Sequence, residues 1–530
     1  MTDGPTSHPH DPAAWRQAVW LLAAATALRL LLAAWLPLFP DEAYYWDWSR
    51  RLAGGYFDHP PLLAWLIAAG TALVGDTPFG VRVVPILAGS SGGVALVLAA
   101  RRLAGDAAAR YTALAFGVLP LAVAGLVLAT PDAPLLASLS WTLHCVVRAL
   151  DEPPGSAGST LWWTLGGVAI GAAMTSKFTG VFYPLALVLA FAIHPALRVR
   201  FREPGPWVAV LVASLLMVPV LYWNAQHDWI AFRFQLGHGL GTNAKESLLH
   251  RQANLVGSQF ALVTPILFVL VLAAIVRGVQ APWRVAMRAA ATGGDRQEPT
   301  RFALAVIAAF CALFFVYSAT RRNVEANWPA IAWLPALVLL GAARDGLRTA
   351  WERRALWLAG ALSGVLVLHA LFRIIPLPAR RDQLSQAYGW DRLARSVDSA
   401  RRSLVLPDGA LPSVAANRYQ DAGLLSFHLP GTATVSALNL GARRNQYDLW
   451  NRFADTASRG SDLLLVLELP REGLPGPIRR LTGHFGGITP GPILPLQRDG
   501  ETVGRRQLWI LRGWNGTWYA DSTDPRAARD

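Results

Sequence analysis

Residues 15–35 read Trp-Arg-Gln-Ala-Val-Trp-Leu-Leu-Ala-Ala-Ala-Thr-Ala-Leu-Arg-Leu-Leu-Leu-Ala-Ala-Trp, and this run decides the fold class. As a helix rising 1.5 Å per residue it would reach about 30 Å, the thickness of a bilayer's hydrocarbon core. Residues 81–100, 255–276 and 355–371 repeat the pattern. Across 530 residues, 53% are hydrophobic and only 15% charged, with a mean hydropathy of +0.33. A soluble domain needs more charge than that to cover its surface, so the bilayer is the main solvent. Runs of this length imply helices, because a barrel strand needs only about ten residues.

The net charge of +14 does not point to nucleic acid, since the arginines are scattered between apolar runs and form no dense stripe with interleaved aromatics. They read instead as topology signals. Cys145 and Cys311 both lie inside apolar runs, against a disulfide framework or a thiolate metal site. Residues 1–14 are polar and lack the basic segment that precedes a cleavable leader, so residues 15–35 are expected to be a retained anchor. Lysine occurs only at 177 and 245, which fits a GC-rich bacterial genome.

Apolar spans are expected near residues 15–36, 79–100, 110–129, 133–150, 161–176, 180–195, 206–222, 255–277, 302–319, 328–343 and 355–375, about eleven in all. Arginines at 101, 102, 110, 148, 198, 200, 202, 277, 284, 288, 296, 301, 344, 348, 353 and 354 all fall in alternate connections, which the positive-inside rule assigns to the cytoplasm. The expected order is a cytoplasmic tail (1–14), a transmembrane domain (15–375) and a soluble C-terminal α/β domain (376–530) on the periplasmic side. Strand-like runs in the last lie at 413–416, 432–438, 463–469 and 507–511. Within the first periplasmic loop, 37–78, residues 41–52 and 61–75 are too short or too polar to cross and read as interfacial helices. No internal repeat suggests the related halves of a transporter.

The polar residues nearest membrane depth gather on one side: Asp41, Glu42, Arg50, Arg51, Asp58, His59, Asp132, Lys177, residues 223–229 with His227, Arg233, and residues 321–328 with Arg321, Glu325 and Asn327. Ionisable groups there are costly, so a set drawn from six connections asks for a shared purpose, and one periplasmic cavity is expected. Carboxylates can take a proton from an attacking hydroxyl, while clustered cations can hold a departing phosphate. That chemistry is glycosyl transfer from a lipid phosphate. The periplasm lacks nucleotide sugars, so the donor is expected on a polyprenyl phosphate, its prenyl tail in a groove between helices open to lipid. Phosphate is a good leaving group, so a base and charge stabilisation suffice.

The stretches Pro40-Asp41-Glu42-Ala43-Tyr44-Tyr45-Trp46, Gly55-Tyr56-Phe57-Asp58-His59-Pro60-Pro61-Leu62, Thr130-Pro131-Asp132, Thr175-Ser176-Lys177-Phe178-Thr179-Gly180 and Glu325-Ala326-Asn327-Trp328-Pro329 resemble bacterial GT-C glycosyltransferases. Specifically, they are similar to the branch of protein O-mannosyltransferases and the lipid A aminoarabinose and galacturonic acid transferases. The likeness covers most of residues 15–345, and residues 444–450, Arg-Asn-Gln-Tyr-Asp-Leu-Trp, also look like that branch. It implies the GT-C fold: mainly α, polytopic, with juxtamembrane helices in the first loop and a C-terminal periplasmic domain. It further implies Asp41 as the catalytic carboxylate, Glu42 as its neighbour and Asp132 as a second acid near the acceptor. The aminoarabinose branch has an acid and a lysine before the double proline, contacting a metal and the lipid phosphate; this chain has Asp58 and His59. A titratable ring replaces a permanent cation, which shifts phosphate binding toward Lys177 and Arg233.

Each residue also has a plainer reading. Asp41 and Glu42 suit a helix N-terminus, and Asp132 suits a tight turn. Lys177 could snorkel to the interface, but a chain so poor in lysine has placed one in a membrane turn. One of each arginine pair, 50/51 and 321/322, is expected to meet headgroups or a surface acid. Asp58, His59 and His227 suit a divalent ion as a candidate cofactor, though nothing in the sequence fixes their spacing. Glu325 and Asn327 either orient substrate or satisfy backbone at a helix entry. The expected function is an inverting glycosyltransferase serving a lipid or other envelope acceptor. The rivals are a transporter or lipid flippase, and a non-catalytic assembly scaffold on the same fold.

Overall fold

The computed structural model describes residues 10–241, 246–288, 296–343, 350–404, 411–431, 435–440, 443–450, 453–469 and 475–518. Lys245, Arg344, Arg348, most of the 1–14 tail, the start of the 432–438 run and the side chains of Arg284 and Arg288 lie outside that description. The chain divides into two compact units. One comprises residues 1–35 and 53–372, the other residues 36–52 and 373–530.

The first unit is a helical bundle. Among the described residues, seven helices are long and apolar enough to cross a membrane, or eight if the bent pair Phe178–Ile193 and Pro195–Arg202 is one span. The protein is therefore a multi-pass membrane protein. Helix is present at each expected span, but two spans are broken for visible reasons. The 110–129 run splits into Asp106–Val118 and Pro120–Gly125, because Pro120 lacks an N–H and forces Leu119 into extended backbone. The 255–277 run splits into Leu248–Val263 and Pro265–Arg288 at Thr264, whose φ of 70° is a strained value for a β-branched residue.

Small residues let the helices approach. On helix Ala157–Ser176, a Cβ on Gly167 would stand 2.6 Å from the carbonyl oxygen of Ala209, and one on Gly171 2.8 Å from the Leu216 side chain. This four-residue spacing of glycines lays the helix directly on Pro204–Gln226, the arrangement by which packing holds helices together in lipid. Leu139, Leu143, Ala303, Ile307 and Val338, all fully buried, belong to the core behind them. The second short helix of the first loop, Leu62–Val74, also belongs to this unit.

The second unit is built on a five-stranded sheet of order β2-β1-β3-β5-β4, with β1 Ser413–Ala416, β2 Val435–Ala437, β3 Leu463–Glu468, β4 Phe485–Arg498 and β5 Glu501–Trp514. β1 pairs in parallel with β2 and β3, while β5 runs antiparallel to β3 and β4. β4 has no counterpart among the strand-like runs expected from the sequence. Its hairpin with β5 turns at Asp499 and Gly500, both at positive φ, as a two-residue Asp-Gly turn requires. Helix Tyr419–His428 connects β1 to β2, and the first-loop helix Pro40–Ser49 belongs with this unit.

Candidate functional site

Within the helical unit, three connections bring Asp132, Lys177 and Asn327 together. Asp132 opens helix Asp132–Asp151. Lys177 follows helix Ala157–Ser176 in extended backbone, which turns its side chain out of the helical path. Asn327 lies in the turn before helix Ala330–Ala342. Lys177 Nζ stands 2.8 Å from Asp132 Oδ1, and Asn327 Nδ2 donates to Asp132 Oδ2 at 2.5 Å. The lysine and aspartate side chains are only 11% and 14% exposed, so this is a nearly dry ion pair. Each oxygen of Asp132 has a partner, which suits a carboxylate that positions the ammonium better than one that abstracts a proton. Of the ammonium's three donors one goes to Asp132, so the others can serve an anion.

The remaining expected residues of this unit are more dispersed. Asp58 is buried, and its carbonyl accepts from Gln235 Nε2 at 2.5 Å; the His59 carbonyl accepts from Tyr56 N–H at 3.1 Å. His227 stacks on Trp223 with ring centres 4.1 Å apart, its Nδ1 2.8 Å from the Trp223 carbonyl. Trp223 also covers Gly55, where a Cβ would come within 2.8 Å of the indole. Arg233 is exposed and donates to the Asp228 carbonyl. Arg321 lies over the Tyr317 ring at 5.6 Å. Glu325 is exposed, its carbonyl accepting from Trp328 N–H at 3.1 Å.

Asp58 and His227 are the residues expected to suit a divalent ion. Among the described residues no three His, Cys, Asp or Glu side chains gather as a metal site requires, and His227 Nδ1 is turned to a backbone carbonyl.

The acids of the first loop are organised by the second unit. Glu42 is buried, and its Oε2 accepts from the Phe39 N–H at 3.0 Å, which makes it a cap on its own helix. Asp41, beside it, keeps an open face to solvent, yet protein crowds it closely. That crowding raises its carboxyl above the ordinary range. The Tyr419 hydroxyl, 3.4 Å from Oδ1, and the charges of Arg443 and Arg418 pull it back, while Glu42 pushes the other way. Asp41 is thus the exposed acid of the pair and Glu42 the buried one.

Tyr419, Arg418 and Arg443 were not among the residues expected from the sequence, although residues 444–450 had signalled their neighbourhood. Tyr44 links these parts: its hydroxyl accepts from the Gln446 N–H at 2.7 Å, and its ring lies 4.5 Å from Tyr419 and 5.6 Å from Tyr447. Trp46 meets Phe427 edge-on at 4.9 Å, and Arg51 lies over Trp450 at 4.4 Å.

Known proteins resemble this chain both in sequence and in fold. The family model described as dolichyl-phosphate-mannose-protein mannosyltransferase matches residues 58–223. A lipid A galacturonosyltransferase, RgtD, of Rhizobium johnstonii is 28% identical over 306 residues, which is 57% of this chain and 59% of the relative. An undecaprenyl phosphate-alpha-4-amino-4-deoxy-L-arabinose arabinosyl transferase of Pseudomonas fluorescens is 29% identical over 221 residues, 39% of this chain and 40% of that protein. The chain thus aligns with about three fifths or less of the length of these relatives. Among solved structures, ArnT of Cupriavidus metallidurans bound to undecaprenyl phosphate superposes with a TM-score of 0.61 at 17% identity, covering 94% of this chain and 98% of that one.

Proposed function

We propose that this chain, a membrane protein with the GT-C fold related in sequence to protein mannosyltransferases and lipid A sugar transferases, moves a monosaccharide from a polyprenyl-phosphate donor to a lipid or other cell-envelope acceptor. The observation that carries this reading is the cluster of Lys177, Asp132 and Asn327: a cation held at helix ends with donors to spare, in a chain whose relatives use phosphate-linked sugars.

In this reading the acceptor hydroxyl attacks the anomeric carbon while the bond to the phosphate oxygen breaks. Asp41 takes the hydroxyl proton or orients that hydroxyl, and Glu42 fixes the backbone that presents Asp41. The departing phosphate gains negative charge, which Lys177 meets, held in aim by Asp132 and Asn327. Displacement from the face opposite the phosphate inverts the anomeric configuration. The alternating arginines support a cytoplasmic amino terminus, a periplasmic reaction and a periplasmic C-terminal domain in a bacterial inner membrane. A transporter or flippase is favoured by no observation, because the paired charges lie at helix ends and not at mid-span.

The test is glycan analysis of lipid A and other envelope polymers in a deletion strain carrying either the wild-type chain or Asp41→Asn. The wild type should restore one sugar modification and the variant, present at equal level, should not. Equal restoration by both would remove Asp41 from catalysis, and a deletion that alters no envelope sugar would overturn the transferase reading.

A further inference from the structure

Helix Ala330–Ala342 starts just after the Asn327 turn and ends about 20 Å farther on, at 1.5 Å per residue. At that far end the helical unit contains a second feature, separate from the Lys177 cluster. A groove of about 1090 Å³ opens there, walled by the first turns of Asp106–Val118 and Ala350–Phe372, the last turn of Ala330–Ala342 and the amino-terminal half of Pro12–Trp35. Small-molecule pockets run to roughly 1,000 Å³, so there is room for much of a long, flexible molecule.

The groove is apolar along its length and basic at one end. Trp20, Leu21, Ala24, Leu114 and Leu356 line its body. Arg110 and Arg353 line it where their helices begin, and these are the ends that the arginine pattern assigns to the cytoplasm. Arg110 is oriented by Gln17, whose Oε1 accepts from Nη1 at 3.1 Å. Among the described residues of the lining the one acid, Glu352, is buried in the wall, so among them two cations face one anion and the described lining is net positive. The Tyr111 hydroxyl, also in the lining, is buried and has no hydrogen-bond partner among the described residues. A buried hydroxyl without a partner is costly, which makes this donor a further point of attachment for a polar ligand.

We propose that this groove is a binding site for one anionic phospholipid of the cytoplasmic leaflet, its phosphate at Arg110 and Arg353 and an acyl chain along Leu114, Leu21 and Ala24. Charge complementarity selects the occupant: basic pockets between membrane helices on the cytoplasmic side suit anionic headgroups, and a zwitterionic lipid would gain the same apolar burial without the net attraction. The site is independent of the sugar-transfer reading, because no residue of one belongs to the other.

The experiment is native mass spectrometry of the full chain released from nanodiscs made of equal parts phosphatidylglycerol and phosphatidylcholine. The wild type should retain phosphatidylglycerol at least fivefold over phosphatidylcholine. R110Q/R353Q should lose that preference, and Ala24→Trp, which fills the body of the groove, should lose bound lipid of both kinds. Arg198→Gln, an exposed arginine elsewhere in the unit, should change nothing. An unaltered preference in R110Q/R353Q would overturn the proposal. So would displacement of the retained lipid by undecaprenyl phosphate at equal concentration, since the occupant would then be the prenyl carrier.

Discussion

Asp41 and Lys177, the two residues on which the proposed transfer leans most, are held in different ways. Lys177 is held near the dry interior by Asp132, itself fixed by Asn327. Removing one partner of such a pair costs roughly 3–5 kcal/mol, because the other is left buried and uncompensated. Lys177→Met should therefore destabilise the protein in a thermal unfolding assay, and Lys177→Met combined with Asp132→Asn should recover most of that loss without recovering transfer. If the double variant regained activity, the ammonium would not be needed by the phosphate. Asp41 is held the other way, with its carboxyl raised by crowding and restrained by Tyr419 and Arg443. A base must be ionised, so activity should fall as pH drops through a value above the ordinary ~3.9 of aspartate. Tyr419→Phe and Arg443→Gln each remove a restraint and should move that acidic limb to higher pH, whereas Asp41→Asn should lower turnover by about 10²–10⁴-fold at every pH. Lys177 was legible because lysine is so scarce in this chain. Tyr419 was not, because it meets Asp41 across 378 residues of sequence and no local pattern announces such a pairing.

At the scale of elements, the helix Pro40–Ser49 was expected from its composition, but its packing partner was not. It lies against Tyr419–His428 at a point where only glycine fits: a Cβ on Gly423 would stand 2.9 Å from the Tyr44 backbone nitrogen. Gly423→Ala must push the helices apart, and overpacking of this kind costs about 1–3 kcal/mol. A chemical-denaturation midpoint should fall accordingly, and turnover should fall further than the stability loss explains, since Asp41 rides on the displaced helix. Wild-type turnover in a folded Gly423→Ala protein would show that the approach is not critical. The unexpected strand β4 has the opposite lesson. Pro490, Pro492 and Pro495 argue against a strand, yet β4 is the sheet edge, where a missing N–H breaks no ladder. Apolar periodicity found the long helices because lipid demands it over twenty residues. It could not find the breaks at Leu119 and Thr264 with equal ease, since a proline in a membrane helix is often accommodated.

At the scale of the molecule, the chain divides after Phe372, and the grouping of the first loop does not follow chain order. Residues 36–52 belong with 373–530, while 53–372 stay with the bundle. Hydropathy cannot reveal this, because it reports which segments avoid water and not which segments share a core. The consequence is that the C-terminal domain completes the setting of Asp41: Tyr419 and Arg443, which act on its carboxyl, and Gln446 and Tyr447, which meet Tyr44 of the same helix, all come from it. A chain ending at Phe372 should still insert through its apolar helices, but helix Pro40–Ser49 would lose the faces that bury Tyr44, Trp46 and Trp48. Limited proteolysis should then cleave at Arg50 or Arg51 in the truncated protein and spare the full chain, and transfer should drop to background. Supplying residues 373–530 as a separate soluble fragment tests the same point in reverse, because protection at Arg50 and Arg51 should return in proportion to the fragment bound. A truncated protein that resists cleavage there, or that keeps transferring sugar, would mean that the first loop folds on its own and that the C-terminal domain serves another purpose.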